Sequence, residues 1–162
     1  MDNFGFLKVA AAVPHVRVGD CDFNTERIAA MAEEAAQRGV EIVAFPELAV
    51  TAYTCADLLL LPALLDAADE ALARLVKATR KLPPVIIAGA PLRHGSTLYN
   101  CAVVFTQGRV LGVVPKTYIP DYTGVLRKPL VRIRRRHLGR DDLRRGTERR
   151  LRRGPHVRDQ RH

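Results

Sequence analysis

Cysteine is scarce in this chain. Its three residues, Cys21, Cys55 and Cys101, are odd in number and supply no disulfide framework of the kind that staples small secreted domains, so a reduced, cytoplasmic protein is the expectation. Long hydrophobic runs are lacking as well. The longest, Leu58 to Leu65, contains Pro62 and is too short to cross a bilayer, and the opening MDNFGFLKVAAAV carries no basic segment ahead of its apolar residues. Membrane and secretory readings are both disfavoured. No internal repeat is present. From Thr123 onward there is no aromatic residue and almost nothing to build a core from.

What charge there is lies unevenly. The chain totals 26 Lys and Arg against 17 Asp and Glu, a formal charge of +9. Residues 1–122 hold 11 basic and 13 acidic side chains, whereas residues 123–162 hold 15 and 4. All the basicity therefore belongs to the last stretch, whose apolar residues are too few and too irregular to offset the entropy of ordering it. Two parts are expected: a body, 1–122, that folds, and a disordered basic tail, 123–162. Such an arm offers nonspecific binding of polyanions through counterion release.

Within the body, FLKVAAAVP reads as a buried strand stopped by Pro14. NTERIAAMAEEAAQRG reads as a helix with Asn24 or Thr25 at its N-cap, Ile28, Met31, Ala32 and Ala35 on one face, and Gly39 at its end. EIVAFPE is a second buried strand. Asp57 is placed as the cap of a helical region that restarts after Pro62 and runs through LLDAADEALARLVKATRKL. VIIAGAP is a third strand, and TLYNCAVVFTQGRVLGVVPK a hairpin turning at Gln107-Gly108. The order β-α-β-α-β-β-β describes an α/β layered domain.

Two charged residues stand where chemistry is done. Glu47, in VAFPELAVTAY, follows directly on a buried strand, and a side chain at the C-terminal end of a strand opens onto a crevice. Partial burial there raises a carboxyl pKa and fits it for general base work; a solvated loop glutamate is the plainer reading of this residue taken alone. Lys116, in GVVPKTYIPDY, ends another strand. Its ammonium is placed to meet a developing oxyanion, or, more blandly, to guard a strand end against unwanted pairing.

Taken together, FPEL…Y and PK…Y.P.Y, about seventy residues apart at the ends of separate strands, resemble the nitrilase superfamily of carbon–nitrogen hydrolases. The stretch GAPLRHGSTLYNCAVVFTQGRVLGVVPKTYIPDY is similar to the glutamine-hydrolysing amidase domain of bacterial glutamine-dependent NAD+ synthetases, and the likeness covers residues 5–122. It implies the N-terminal part of an αββα sandwich bearing a Glu–Lys–Cys triad. Glu47 matches the general base that takes the thiol proton, and Lys116 the lysine that orients the nucleophile and stabilises the tetrahedral intermediate. Tyr53 and Tyr122 match aromatic positions of the two motifs, placed either to line the substrate pocket or to sit as amphipathic residues at the core edge. Glutamine is the implied substrate, attacked by a thiolate to give a thioester and ammonia. No metal or cofactor is implied for this part; ATP and deamido-NAD would bind a separate synthetase domain. Intact members are expected to be homo-oligomers. Ala52 departs from the pattern, standing where the family has glycine before the tyrosine, which touches the geometry of that loop.

The third member of the triad is a cysteine downstream of the lysine, and no cysteine follows Lys116. Cys101 reads as a core thiol within a strand. Cys55 falls in a loop that could expose it, but in the wrong motif, and Cys21 precedes the first helix. The tail offers an explanation. Codons for residues 125–135 can be chosen so that reading from the second base gives Phe-Tyr-Glu, then Arg-Trp-Phe-Ala-Ser-Gly-Asp, the kind of segment that follows the lysine in these enzymes. Residues from about Thr123 are thus expected to be out-of-frame translation of a GC-rich gene, in keeping with 14 arginines to one lysine after residue 122. The rival is a small α/β domain with an arm for nucleic acid, and that arm has no aromatic residue to stack on bases. A noncatalytic half-domain packing on an intact paralogue is a third reading.

Overall fold

The computed structural model describes residues 5–95 and 97–116. Tyr122 and the expected tail lie outside the described residues. Elements follow in the order β1 (Val9–Ala11), α1 (Cys21–Gln37), β2 (Ile42–Ala44), a 3-10 segment (Tyr53–Leu60), α2 (Pro62–Ala78), β3 (Val85–His94), β4 (Thr97–Thr106) and β5 (Arg109–Pro115). The five strands form one sheet in chain order, β1 to β3 parallel and β4 and β5 antiparallel.

Parallel neighbours need a crossover, and crossovers of one hand between strands added in one direction put their helices on the same face. Accordingly Ile28, Ala32 and Ala35 of α1 and Ala68, Leu72 and Leu75 of α2 share one core with Val43, Ile86, Ala88, Val103 and Phe105 of the sheet. Side chains alternate along a strand, so Val9, Ile42, Ile87, Val104 and Val114 belong to the opposite face. Val9 and Val114 are 65% and 59% exposed. None of the described elements covers that face.

The helix ends refine the sequence reading. α1 begins four to five residues earlier than expected because Asp20, rather than Asn24 or Thr25, caps it, its carboxylate accepting the Phe23 N–H at 3.1 Å. Asn24 is fully buried and ties the helix to the neighbouring loops, donating to the Arg17 and Val50 carbonyls at 2.8 and 3.1 Å. Thr25 bonds back to the Cys21 carbonyl. At the other end Gly39, at φ +69°, gives the Val40 and Gly39 N–H groups the carbonyls of Ala35 and Ala36, a glycine-terminated helix end as read. Asp57 caps nothing. It lies inside the 3-10 segment, and α2 starts at Pro62, whose fixed φ suits a first turn. Gln107 and Gly108, at φ +47° and +75°, form the tight β4–β5 turn expected.

Candidate active site

Glu47 sits in a turn that folds back over the sheet just beyond β2. Phe45 N–H donates to Ile87 O at 2.8 Å and Val50 N–H to Gly89 O at 3.1 Å, so the chain between them is pinned across β3 at both ends. Pro46 and Leu48 accept the N–H groups of Ala49 and Thr51 at 3.2 and 3.0 Å, closing two overlapping turns. Leu48 adopts φ +53°, a backbone conformation that side chains rarely take. Its side chain is buried with Cys55, Leu59 and Leu65, and that burial holds the strained residue in place. Below the turn lies Gly89. A Cβ there would stand 2.4 Å from Leu48 N and 2.5 Å from Pro46 O, so only glycine permits this close approach.

Lys116 comes from the other end of the sheet, immediately after β5, and its main-chain N–H donates to Asn100 O at 2.8 Å. Its ammonium donates to both carboxylate oxygens of Glu47 at 2.7 Å. The sequence-read pair, 69 positions apart, is one ion pair. Each side chain is about one-third exposed, at 32% and 35%, which leaves the pair open to a ligand. Asn100, on β4, donates its Nδ2–H to Glu47 Oε1, and its residue is only 4% exposed. Sequence reading missed it. The available signal was a lone amide inside YNCAVVF, where every neighbour but the tyrosine is apolar.

The remaining candidates are not brought to the pair by any contact among the described residues. Tyr53 opens the 3-10 segment with its residue 62% exposed, and Tyr122 lies outside the described residues. Ala52 takes φ +70°, ψ 149°, a region that essentially only glycine occupies; here the departure noted in sequence acquires a physical meaning. All three cysteines are buried. Cys55, whose loop position left it open to exposure, is 1% exposed and donates to the Thr51 carbonyl. Burial pushes the Cys101 thiol up to about 12. Cys21 is raised to about 11, first by burial and then by the charges of Cys55 and the neighbouring aspartates. Thiols held protonated in this way are poor nucleophiles. No group of three or more His, Cys, Asp or Glu able to hold a metal occurs among the described residues, and none of their helices is long and apolar enough to cross a membrane.

A carboxylate and an ammonium paired from separate strand ends, with all three cysteines buried, invite comparison with known proteins. The family model for carbon-nitrogen hydrolases matches residues 8–148. The glutamine-dependent NAD(+) synthetase of Mycobacterium tuberculosis is 45% identical over 118 residues, covering 73% of this chain and 17% of that protein. Its counterpart in Xylella fastidiosa is 38% identical over 118 residues, covering 72% of this chain and 21% of the relative. The chain thus spans about a fifth or less of the length of these curated relatives. Among solved structures, a glutamine-dependent NAD(+) synthetase from Cytophaga hutchinsonii superposes with a TM-score of 0.66 at 27% identity, over 71% of this chain and 20% of that one. An amidase from Nesterenkonia shares the fold, with a TM-score of 0.65 at 21% identity over 77% of this chain and 49% of its own.

Proposed function

The chain belongs to the carbon–nitrogen hydrolase family, and from that premise we propose that it is the N-terminal portion of the glutamine-hydrolysing domain of a glutamine-dependent NAD+ synthetase. The observation that carries the reading is the Glu47–Lys116 pair at the ends of β2 and β5, in a chain whose relatives bear that name.

In the reaction so inferred, the Glu47 carboxylate takes the proton of a cysteine thiol, and the thiolate adds to the carboxamide carbon of glutamine. The oxyanion that forms meets the Lys116 ammonium, a fixed cation aimed at charge that appears only in the transition state. Glu47 then returns the proton to the departing nitrogen. Ammonia leaves, a thioester remains, and water activated by the same carboxylate releases glutamate. The ammonia would serve amidation of ATP-activated deamido-NAD in a synthetase domain.

Two of the three groups stand in this chain. The thiol does not: Cys21, Cys55 and Cys101 all precede Lys116 and are buried. The 162-residue chain is therefore inactive towards glutamine. Residues from about Thr123 are out-of-frame, with the nucleophile encoded in another frame. The family match extends to residue 148, past Thr123, whereas the curated relatives match over 118 residues; the DNA decides where the frame changes. Reading that DNA in all three frames across and beyond codon 162 tests the proposal. A cysteine followed by glutamate at a strand end, with a synthetase domain after it, is the expected result; three frames without either would refute it.

A further inference from the structure

We propose that Asn100 is a positioning residue of this site, one that fixes the Glu47 carboxylate so that Oε2 is the oxygen that takes the proton. The inference rests on the functional reading above and deepens it.

Five polar residues are buried among the described ones: Asn24, Thr25, Thr51, Thr79 and Asn100. The side chains of the first four bond to main-chain groups, tying helices and turns together. Asn100 alone bonds to a charged side chain, 53 positions away. A buried amide on a strand costs free energy unless it is bonded, and an apolar residue would fill the same space without that cost. Its presence is therefore explained by its partner.

Each carboxylate oxygen has two lone-pair positions. Among the described residues, Oε1 of Glu47 accepts from both Lys116 Nζ and Asn100 Nδ2, whereas Oε2 accepts from Lys116. Oε2 is the oxygen with a lone pair to spare. An ion pair between two long, partly exposed side chains is loosely held by itself. Asn100 has a short side chain on the central run of β4, and its main-chain carbonyl receives the Lys116 N–H at 2.8 Å. One residue thus sets both partners: Glu47 through its amide and Lys116 through its carbonyl.

The test is nuclear magnetic resonance of the 162-residue chain, under conditions in which it sediments as a single species. The Asn100 side-chain amide resonance is expected to move with pH along the same titration as the Glu47 carboxyl carbon, and Glu47→Gln should abolish that movement. In Asn100→Leu the Glu47 carboxylate loses the donor that fixes it, so the Glu47 carboxyl carbon resonance should shift and the Glu47–Lys116 pair loosen. An Asn100 amide indifferent to Glu47→Gln, or a Glu47 carboxyl resonance unmoved in Asn100→Leu, would overturn the proposal. Should Asn100→Leu fail to fold, the Glu47→Gln arm decides alone, since that change keeps the shape of a partly exposed side chain. Neither arm depends on glutamine turnover, so a failed functional reading and a failed positioning role give different results.

Discussion

Gly89→Ala strikes at the contact on which the site is built. The added Cβ would lie 2.4 Å from Leu48 N, 2.5 Å from Pro46 O and 2.8 Å from Glu47 C, all main-chain atoms that no rotamer change can move. Ordinary contact distances require the turn to retreat by about 1 Å. The hydrogen bonds Phe45 N–H to Ile87 O and Val50 N–H to Gly89 O, at 2.8 and 3.1 Å, flank the turn, and such a retreat takes at least one of them out of bonding range. Overpacking of roughly 1–3 kcal/mol and a buried group left unbonded at roughly 1–3 kcal/mol together give a loss of about 2–6 kcal/mol. Gly112→Ala is the control, because a Cβ there meets nothing within 4 Å; it should be neutral or stabilise by up to about 1 kcal/mol by restricting the unfolded chain. Urea unfolding followed by far-ultraviolet circular dichroism, at matched low concentration, separates the two. With a slope of roughly 1–2 kcal/mol/M for so small a body, the Gly89→Ala midpoint should fall by about 1 M or more. A Gly89→Ala curve lying on that of Gly112→Ala would refute the close-approach reasoning.

Ala52→Gly should stabilise the chain by about 1 kcal/mol, relief of strain at φ +70°, ψ 149° being partly offset by the entropy of the extra glycine; a melting temperature that does not rise by several degrees counts against the strain. The uncovered sheet face should drive concentration-dependent association, measured by sedimentation velocity and reduced by Val114→Lys, since Val114 is 59% exposed on that face; a wild-type chain that stays monomeric at all concentrations would contradict it. High pH should destabilise the fold. Unfolded thiols ionise near 9.0, while burial holds Cys21 and Cys101 protonated to about 11 and about 12. Stability is therefore full below pH 9 and is lost as pH rises, between about 9 and 11 for Cys21 and between about 9 and 12 for Cys101, by up to about 1.4 kcal/mol per pH unit per thiol. Urea midpoints that do not fall across that window, or that fall equally in Cys101→Ala, would argue against it. Binding to heparin, expected from 15 basic residues after Tyr122, should fade steeply with added salt; salt-insensitive binding would point to a specific interface instead.

Most elements were legible because period and punctuation agreed: Gly39, Pro62 and Gln107-Gly108 each mark an end or a turn seen in the structure, whereas the first strand, read as buried up to Pro14, is only Val9–Ala11 and leaves Val9 65% exposed. Caps were less so. Asn24 has the chemistry of a cap, but tertiary bonds to Arg17 and Val50 claimed it, and Asp20 took the role. Glu47 and Lys116 could be named from motifs alone, yet nothing in the sequence states that they touch. That contact depends on Gly89 letting the turn descend and on strand pairing that brings Lys116 to Asn100, both consequences of register. Asn100 went unread for the same reason: a lone amide in a strand acquires meaning only when its partner is known.

Ammonia release from glutamine is the most direct measurement of the central claim, compared between the 162-residue chain, a frame-restored protein and each of these with Glu47→Gln. A site that keeps its base and cation but lacks its nucleophile retains at most roughly a thousandfold over water, below what such an assay detects. Release is expected only from the frame-restored protein, with loss on Glu47→Gln. Turnover by the 162-residue chain that Glu47→Gln abolishes would show one of its three buried cysteines acting as the nucleophile, and a frame-restored protein indifferent to Glu47→Gln would remove Glu47 from the chemistry altogether.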